Sequence, residues 1–502
     1  MHFGISESIS HWGKYSPTKP ALCHNGKVAT FRELNSFVDG LANHIGELKL
    51  GVDRIGITVK SKYHYLISLL SILRAGKSVV LLNTGLSLDA IKTNIEDAEI
   101  QTLIYDNHHK HILDFLDSKN QENTVNIEQR IQCLQAVSDI PSLYRNRLPT
   151  DEWGVLFSSG TTGIPKGIVR DHYSIVIEML GWCIELALNR GSTFYIGRPI
   201  FYTGGLVLSL STLLVGGCIF INDYDDDDDN RVIWNDYQKE LAHSSIDWAF
   251  FVPDQIRAFN KICENRAEKA LGAKAILVMG APITGEEKVK AVKLLNSQVV
   301  ESWGNSESLG TITEPEDIDI RPDSIGRPFL SDELFIVDDD GNPLPAGQYG
   351  RLAGGEEASF NYYCNRPQET DHVKRNRLII SDDIGYMDQD GYFFIRGRDQ
   401  DCVLVDKETI FLPEVEAKLK NNQYVEDCMV VAKSLDGSEF ELICVLVPSK
   451  KAARDEEQLL NFLNISLKPK ESLKRVYVIE ALPRLPSGKV DKVAVKKLVG
   501  ES

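Results

Sequence analysis

The sequence has no Cys-x-x-Cys pair, and its nine cysteines are scattered over 502 residues. An odd and dispersed set argues against a disulfide framework or a zinc site, and it is typical of a reducing compartment. The first residues contain no basic segment followed by an apolar run, so we expect no export signal and a cytoplasmic location. The most apolar stretch, residues 206–221, includes Gly216 and Gly217, falls short of a membrane span and is interpreted as a buried helix running into a strand.

Basic residues are also scarce. The chain has 55 Lys and Arg against 72 Asp and Glu, a formal net charge of −17, so we expect no nucleic-acid partner. No G-x-G-x-x-G motif opens a predicted helix, which removes the main support for a dinucleotide fold. The hydrophobic share of 43% is typical of a globular protein, and the length suggests several domain-sized units.

Strand and helix patterns alternate through the first half of the chain. Thr30 and Glu33 form a capping-box pattern that opens a helix. Strands alternating with helices predict a largely parallel sheet with right-handed crossovers. In the first 105 residues, strands are predicted over residues 55–59, 78–82 and 102–105, and helices over 63–73 and 88–98.

The later segments predict two further regions. Strand and helix patterns alternate again over residues 173–295, interrupted by five aspartates from Asp225 to Asp229. These aspartates could bind a hard cation, but we interpret them as a solvated surface insertion. Short segments with turns predict a small β-subdomain at about 324–397. The predicted fold is therefore α/β: a large domain over residues 1–398, made of helix-flanked sheets and the β-subdomain, and a small mobile α+β domain over residues 399–502.

A loop rich in glycine and hydroxyl groups follows the strand predicted over residues 153–157. It reads Ser-Ser-Gly-Thr-Thr-Gly-Ile-Pro-Lys-Gly over residues 158–167. Glycines let backbone N–H groups converge on an anion, and the hydroxyls and the lysine add donors and positive charge. The spacing differs from the P-loop of phosphoryl-transfer NTPases. We predict that the loop binds nucleotide phosphates through Ser159, Gly160, Thr161, Thr162, Gly163 and Lys166.

Four more motifs follow this loop in a fixed order. They are Gly280-Ala281-Pro282, Trp303-Gly304-Asn305-Ser306-Glu307, Ser381-Asp382-Asp383-Ile384-Gly385 and Leu485-Pro486-Ser487-Gly488-Lys489-Val490-Asp491-Lys492. With these motifs the chain resembles the adenylate-forming enzymes, which include acyl- and aryl-CoA synthetases, peptide-synthetase adenylation domains and luciferases. The resemblance extends over essentially all of the chain and is strongest to the acyl-CoA synthetases.

The resemblance implies a role for each motif. Lys489 would bridge the substrate carboxylate and the α-phosphate, and Glu307 and Thr162 would contact Mg²⁺. Asp383 would bind the ribose hydroxyls, supported by Arg398. The remaining residues expected around the nucleotide, with Trp303 stacked on adenine, are Gly280, Ala281, Pro282, Trp303, Gly304 and Ser306.

The segment over residues 199–205 departs from two family patterns. Tyr202 stands where many CoA ligases have histidine, and the segment has no carboxylate to pair with an amino group. An unpaired ammonium group is costly to bury, so we expect an acid without an α-amino group. Apolar side chains suggest an aliphatic or aromatic acid, although core packing explains them equally well. The residues expected at the substrate are Phe201, Tyr202, Gly205, Phe251, Met279 and Gly304.

The expected reaction is ATP- and Mg²⁺-dependent activation of a carboxylic acid as acyl-AMP, with release of pyrophosphate, followed by transfer to a thiol. CoA is the first choice of acceptor, and the alternative is a stand-alone adenylation enzyme that loads a phosphopantetheinyl carrier protein. Gln400 and Lys407 depart from the family pattern at the hinge and at the pantetheine tunnel, where a lysine in place of glycine would obstruct the thiol arm or contact a phosphate instead. The alternative of another class is a non-catalytic protein that binds a nucleotide or an acyl-adenylate.

Overall fold

A computed structural model describes residues 4–48, 53–121, 123–134, 148–158, 165–224, 228–264, 270–307, 309–405, 408–434, 440–450, 452, 456–484 and 490–500. Helices and strands alternate through most of it. The helices are α1 (Ile5–Tyr15), α2 (Phe31–Glu47), α3 (Lys62–Arg74), α4 (Leu88–Asp97), α5 (Ser118–Gln121), α6 (Ile127–Leu134), α7 (His172–Glu185), α8 (Thr203–Leu214), α9 (Asn230–His243), α10 (Pro253–Glu264), α11 (Gly285–Leu295), α12 (Asp317–Ile320), α13 (Pro367–Val373), α14 (Leu412–Lys420), α15 (Glu456–Asn464) and α16 (Lys492–Leu498). None of these helices is both long and apolar enough to cross a membrane.

The strands are short, as expected where each is one element of a βα repeat. They are β1 (Pro20–His24), β2 (Lys27–Thr30), β3 (Arg54–Thr58), β4 (Ser78–Leu81), β5 (Thr102–Tyr105), β6 (Val125–Asn126), β7 (Glu152–Ser158), β8 (Lys166–Asp171), β9 (Thr193–Ile196), β10 (Cys218–Ile221), β11 (Trp248–Phe251), β12 (Ala275–Val278), β13 (Gln298–Gly304), β14 (Gly310–Ile312), β15 (Arg327–Pro328), β16 (Leu334–Val337), β17 (Gly350–Gly355), β18 (Tyr362–Tyr363), β19 (Lys374–Arg375), β20 (Leu378–Met387), β21 (Phe393–Arg398), β22 (Cys402–Val405), β23 (Glu408–Phe411), β24 (Val425–Ser434), β25 (Phe440–Pro448) and β26 (Leu473–Val478).

The described residues fall into two compact units. The first contains those within 4–334 and 354–379, and the second contains those within 335–353 and 380–500. This grouping places half of the predicted β-subdomain with the C-terminal region, whereas the sequence predicted a boundary at residue 398; that boundary stays a prediction.

Two large sheets form the first unit. The order of one is β15-β14-β13-β12-β11-β9-β10-β1-β2, and that of the other is β18-β8-β7-β4-β3-β5-β6. Strands β9 to β13 and β3 to β5 pair in parallel with their neighbours in the sheet core, as the βα alternation predicted. Parallel strands are covered on both faces, which explains why β4 is buried throughout.

The predicted local signals of the first unit are present. Thr30 Oγ1 accepts from the backbone N–H of Glu33, and the Glu33 carboxylate accepts from the backbone N–H of Thr30 at 2.8 Å, which confirms the capping box. The apolar stretch from residue 206 is the buried helix α8 followed by β10, also as predicted. Two of its hydroxyl groups are satisfied inside the helix, since Ser209 donates to Gly205 O and Thr212 donates to Leu208 O.

The second unit contains two layers of shorter elements. Strands β16, β17, β20 and β21 lie in one sheet, in which β20 and β21 pair antiparallel, and β24, β25 and β26 form another against α14 and α15. The alternating apolar residues of β24 and β25 build the core of this C-terminal region. A third, two-stranded sheet pairs β22 with β23.

Asp332 lies beside the start of β14, and we expect it to make the stability of the first unit pH-dependent. Its Oδ2 accepts from the backbone N–H of Gly310 at 2.9 Å. Burial, reinforced by the charge of Glu178, raises the pKa of Asp332 to about 6 from its ordinary value of 3.8. The folded state therefore binds the Asp332 proton more tightly than the unfolded state does. The contribution of this proton to the free energy of unfolding is lost as the pH rises through about 6.

We therefore expect Asp332→Asn to stabilise the protein more at pH 8 than at pH 5, by on the order of 1 kcal/mol. The amide oxygen keeps an acceptor for Gly310 but carries no charge to bury. Denaturant midpoints at the two pH values measure the effect, with the exposed Asp319→Asn in α12 as the control. A gain that is equal at both pH values would contradict the assigned cause.

Candidate active site

Several predicted site residues of the first unit lie at the carboxyl ends of parallel strands. Strand β9 leads into the segment over residues 199–205, β12 leads into Met279 and Gly280, and β13 ends at Gly304. The ends of such strands are where open α/β sheets bind ligands. The sequence motifs therefore lie where this fold places functional loops.

The backbone conformation at residue 280 requires a glycine. Its φ is +102°, a left-handed conformation that side chains rarely adopt, and an added Cβ would meet only Val252 Cγ1, at 3.7 Å. The turn that follows is fixed by Arg257, which donates from Nη2 to the carbonyl oxygen of Pro282 at 2.8 Å and is paired with Glu287. Gly280 and Pro282 are exposed, and Ala281 is half-buried, so the backbone of this turn is accessible.

The motif over residues 303–307 forms a tight turn between β13 and β14. Trp303 is half-buried and pairs with Thr311 in the β13–β14 ladder. Asn305 closes the turn through its side chain, since its Oδ1 accepts from the backbone N–H of Leu309 at 2.9 Å. Ser306 Oγ lies 3.2 Å from Thr203 Oγ1, which links this turn to the first residue of α8.

Glu307 is held by a tyrosine that the sequence motifs did not include. Tyr363 donates its hydroxyl to Glu307 Oε1 at 2.5 Å. The ammonium group of Lys166 lies 5.3 Å from the centre of the same tyrosine ring. Tyr363 thus brings together a predicted metal ligand and a predicted phosphate ligand.

Lys166 also makes an ion pair that the sequence did not predict. Its Nζ lies 2.5 Å from Glu369 Oε2, and Glu369 is paired on its other side with Arg366. Burial works against ionisation of Glu369, but the hydrogen bonds from Lys166 and Arg366 outweigh it and lower the pKa of the carboxyl group. Glu369 is therefore a carboxylate at neutral pH and neutralises Lys166 in this structure.

Several predicted residues lie outside the described ranges. On the phosphate loop, the structure describes Ser158 and Lys166, which face each other in the β7–β8 ladder. The predicted residues outside these ranges are Ser159, Gly160, Thr161, Thr162, Gly163 and Lys489, together with Lys407.

Asp383 and Arg398 meet in the second unit. They are direct partners in the β20–β21 ladder, and Arg398 Nε donates to Asp383 Oδ1 at 3.2 Å. The Asp383 backbone N–H also donates to Ser381 Oγ at 3.1 Å. The predicted pairing of the Asp383 carboxylate with the Arg398 guanidinium group is therefore present. Gln400, the hinge departure, is exposed in the short turn that follows.

The segment before α8 presents two adjacent aromatic rings. The ring centres of Phe201 and Tyr202 are 4.7 Å apart. The Tyr202 hydroxyl accepts from Asn83 Nδ2 at 3.1 Å, and Asn83 Oδ1 in turn accepts from the backbone N–H of Gly85. Asn83 follows β4 of the seven-stranded sheet, and Tyr202 follows β9 of the nine-stranded sheet. This hydrogen bond therefore joins loops that follow strands of the two sheets.

The glycines at the start of α8 allow close approach. An added Cβ on Gly204 would lie 2.9 Å from Met279 Sδ, and one on Gly205 would lie 2.5 Å from the carbonyl oxygen of Pro199. Met279 therefore lies directly against the first turn of α8. Gly304 is less crowded, since its nearest atom, Leu309 O, would be 3.1 Å away.

Phe251 has a different environment from the other residues expected at the substrate. It is fully buried, and its ring packs against Tyr195, Tyr237 and Phe259 at centre distances of 5.8, 5.0 and 5.0 Å. Core packing accounts for Phe251. Its neighbour Phe250, on the opposite face of β11, is the ring that reaches Gly204.

Comparison with known proteins gives relatives along the whole chain. The long-chain-fatty-acid–CoA ligase of Escherichia coli O6:H1 is 25% identical, over 94% of this chain and 90% of that protein. The fatty acid–[acyl-carrier-protein] ligase ScoC of Streptomyces coeruleorubidus is 24% identical, over 97% and 94%. The chain also matches malpinin synthetase of Mortierella alpina at 24% identity but spans only 6% of its length.

Solved structures share the fold. The ATP-bound structure of MatB from Rhodopseudomonas palustris superposes with a TM-score of 0.87 over 99% of both chains, at 22% identity, which confirms the predicted fold class. A family model described as AMP-binding enzyme matches residues 9–363, and the model of its C-terminal domain matches residues 414–489. The chain belongs to the AMP-binding enzyme family, the adenylate-forming superfamily that its motifs resemble.

Proposed function

We propose that this AMP-forming acid–thiol ligase activates an aliphatic or aromatic carboxylic acid as acyl-AMP and transfers the acyl group to CoA. The observation that carries the proposal is the contact of one tyrosine, Tyr363, with both Glu307 and Lys166. A carboxylate and a cation at one point suit a metal–polyphosphate complex, which carries both charges. The nine free cysteines favour a cytoplasmic location.

The reaction needs charge neutralisation and alignment more than proton transfer. A carboxylate oxygen of the acid forms a bond to the α-phosphorus as the bond to pyrophosphate breaks, and the nucleophile is already ionised. Lys166 contributes positive charge to the phosphates by exchanging its partner Glu369 for a phosphate oxygen. Lys489 is proposed to align the two reacting anions.

Glu307 fits a magnesium ion. Its carboxylate is half-buried at a turn, and the Tyr363 hydroxyl orients one of its oxygens. Mg²⁺ is usually held by one or two carboxylates plus phosphate oxygens, and no cluster of three His, Cys, Asp or Glu side chains suited to a metal occurs among the described residues. When bound, the ion neutralises phosphate charge. We propose that Thr162 also faces it.

Each unit, taken by itself, has groups that we propose for nucleotide binding. In the first unit, the accessible backbone of Gly280 and the half-buried ring of Trp303 suit a flat base. In the second unit, the Asp383 carboxylate is an acceptor for ribose hydroxyls, and Arg398 holds its orientation.

Two features support an acid without an α-amino group. The described segment over residues 199–205 has no carboxylate, and the side chains of Phe201 and Met279 offer apolar surface beside α8. The names of two relatives support the same proposal: the Escherichia coli protein is named for long-chain fatty acids, and a 26% identical protein of an Amycolatopsis species is named feruloyl-CoA synthase.

The acceptor has a second candidate. ScoC, which matches along most of this chain, is named for transfer to an acyl carrier protein, so a phosphopantetheinyl carrier is the alternative to CoA. Both acceptors present the same thiol arm. They differ in whether the protein must also recognise a protein surface.

Acid-dependent exchange of labelled pyrophosphate into ATP tests the proposal. We expect exchange with at least one of a panel of fatty and aromatic acids, and acyl-CoA formation when CoA is added. Acylation of a phosphopantetheinylated carrier without acyl-CoA would favour the alternative acceptor. Measurable ATP binding without exchange for any acid would contradict the enzyme and support a non-catalytic binding protein.

A further inference from the structure

Tyr65 places a buried hydroxyl group beside the proposed acid-binding segment. It lies in the first turns of α3, is 2% exposed, and has its ring centre 6.4 Å from that of Phe201. The Phe201 ring is thus a neighbour of both Tyr65 and Tyr202. The loop that carries Phe201 is the one that leads into α8, so Tyr65 belongs to the same neighbourhood as the apolar residues assigned to the acid.

The hydroxyl of Tyr65 has no hydrogen-bond partner among the described residues. Buried polar groups are nearly always paired, and a buried tyrosine hydroxyl normally finds a partner. Other buried tyrosines follow this rule: Tyr237 accepts from the backbone N–H of Ala273, Tyr195 pairs with Asn222, and Tyr363 donates to Glu307. Tyr65 is thus unlike these three, and it is the one adjacent to Phe201.

The surrounding chemistry favours a hydrogen-bond donor there. Burial raises the pKa of Tyr65 well above its ordinary value of 10.0, so the hydroxyl stays protonated. The Tyr202 hydroxyl, by contrast, is oriented by Asn83. Ligand pockets are mostly apolar, with a few polar groups that fix the orientation of the ligand, and a buried, unpartnered donor on a ring next to Phe201 suits that pattern.

We propose that Tyr65 is a specificity-determining residue whose hydroxyl hydrogen-bonds an oxygen atom on the tail of the acid, remote from the activated carboxylate. The substrate class is then a hydroxy- or oxo-substituted acid and not its unsubstituted parent. This inference rests on the proposed function, because it assigns Phe201 and Tyr202 to the acid-binding wall. A site built to pair with a substrate oxygen discriminates strongly against the analogue that lacks it.

Pyrophosphate exchange with matched acid pairs tests the inference. The pairs are cinnamate with its ring-hydroxylated derivatives, and octanoate with its hydroxy- and oxo-derivatives. In the wild type we expect kcat/KM to favour the oxygenated acid by about tenfold or more in at least one pair. Tyr65→Phe should reduce that preference to about twofold or less. The change should be in kcat/KM for the oxygenated acid, and the KM for ATP should stay the same.

Tyr237→Phe is the matched control, since it removes a buried hydroxyl that is already paired inside the protein. It should lower the denaturant midpoint and leave acid preference unchanged, whereas Tyr65→Phe should not lower the midpoint. Loss of stability in Tyr65→Phe equal to that of the control would overturn the inference, because the hydroxyl would then be satisfied within the protein.

Two further outcomes separate the inference from the proposed function. Exchange that shows no preference in any pair, or a preference that survives in Tyr65→Phe, overturns the role of Tyr65 and leaves the ligase intact. No exchange with any acid in the wild type overturns both.

Discussion

Replacing Lys489 with alanine is expected to reduce acid-dependent pyrophosphate exchange by about 10²–10³-fold, the usual cost of removing one electrostatic group from a reacting centre. The carboxylate and the α-phosphate are both anions, and their approach requires a cation between them. Lys166, which is paired with Glu369, lies on the strand after the phosphate loop and serves the other phosphates in our assignment. It therefore does not replace Lys489. Initial rates at saturating ATP and acid measure the loss.

Lys497→Ala is the control for this prediction, because it removes an exposed lysine from α16, eight positions further along the chain. It should leave exchange unchanged. If acyl-adenylate is supplied chemically, Lys489→Ala should still transfer the acyl group to the thiol, since the phosphate bond has already been made. Exchange at the wild-type rate, or equal loss in both half-reactions, would contradict the assigned role.

Local sequence signals predicted the elements of this fold that depend on neighbours along the chain. The capping box of Thr30 and Glu33 and the helix-to-strand passage through Gly216 depend on chemistry within a few residues, so each could be recognised directly.

Contacts between distant segments could not be predicted in the same way. Tyr363 is 56 residues from Glu307 and reaches it because the two-residue strand β18 pairs with β8, opposite Ile168. A strand that short leaves no periodic pattern in the sequence. The partner of Lys166, Glu369, follows from the same pairing and was equally hidden.

The environment of Phe251, which the sequence analysis expected at the substrate, shows a further limit. Strand β11 is parallel to both of its neighbours and is covered on both faces, so its residues are apolar throughout. Alternation of apolar and polar residues, which would show the two faces in a half-exposed strand, is then absent. Only the packed structure shows that the Phe250 side chain faces α8, while the Phe251 side chain faces the cluster of Tyr195, Tyr237 and Phe259.

Glu307→Gln is expected to lower acid-dependent pyrophosphate exchange by about 10²-fold and to raise the Mg²⁺ concentration needed for half-maximal rate. The substitution keeps an oxygen that accepts from Tyr363, so the turn is preserved while the negative charge is lost. Mg²⁺ is typically held by a single protein carboxylate together with phosphate oxygens. Removing the carboxylate charge should therefore lower the affinity for Mg²⁺. Titration of the exchange rate with Mg²⁺ at fixed ATP separates weaker metal binding from a general loss of activity.

Tyr363→Phe should have a smaller effect in the same direction, because it frees the Glu307 carboxylate from its orienting donor without removing the charge. Glu314→Gln is the matched control, since it removes an exposed carboxylate seven residues further along the chain. A Glu307→Gln enzyme with wild-type exchange and an unchanged Mg²⁺ requirement would remove Glu307 from the metal site. An intermediate requirement in Tyr363→Phe would instead show that the position of the carboxylate, and not its charge alone, sets the affinity for the metal.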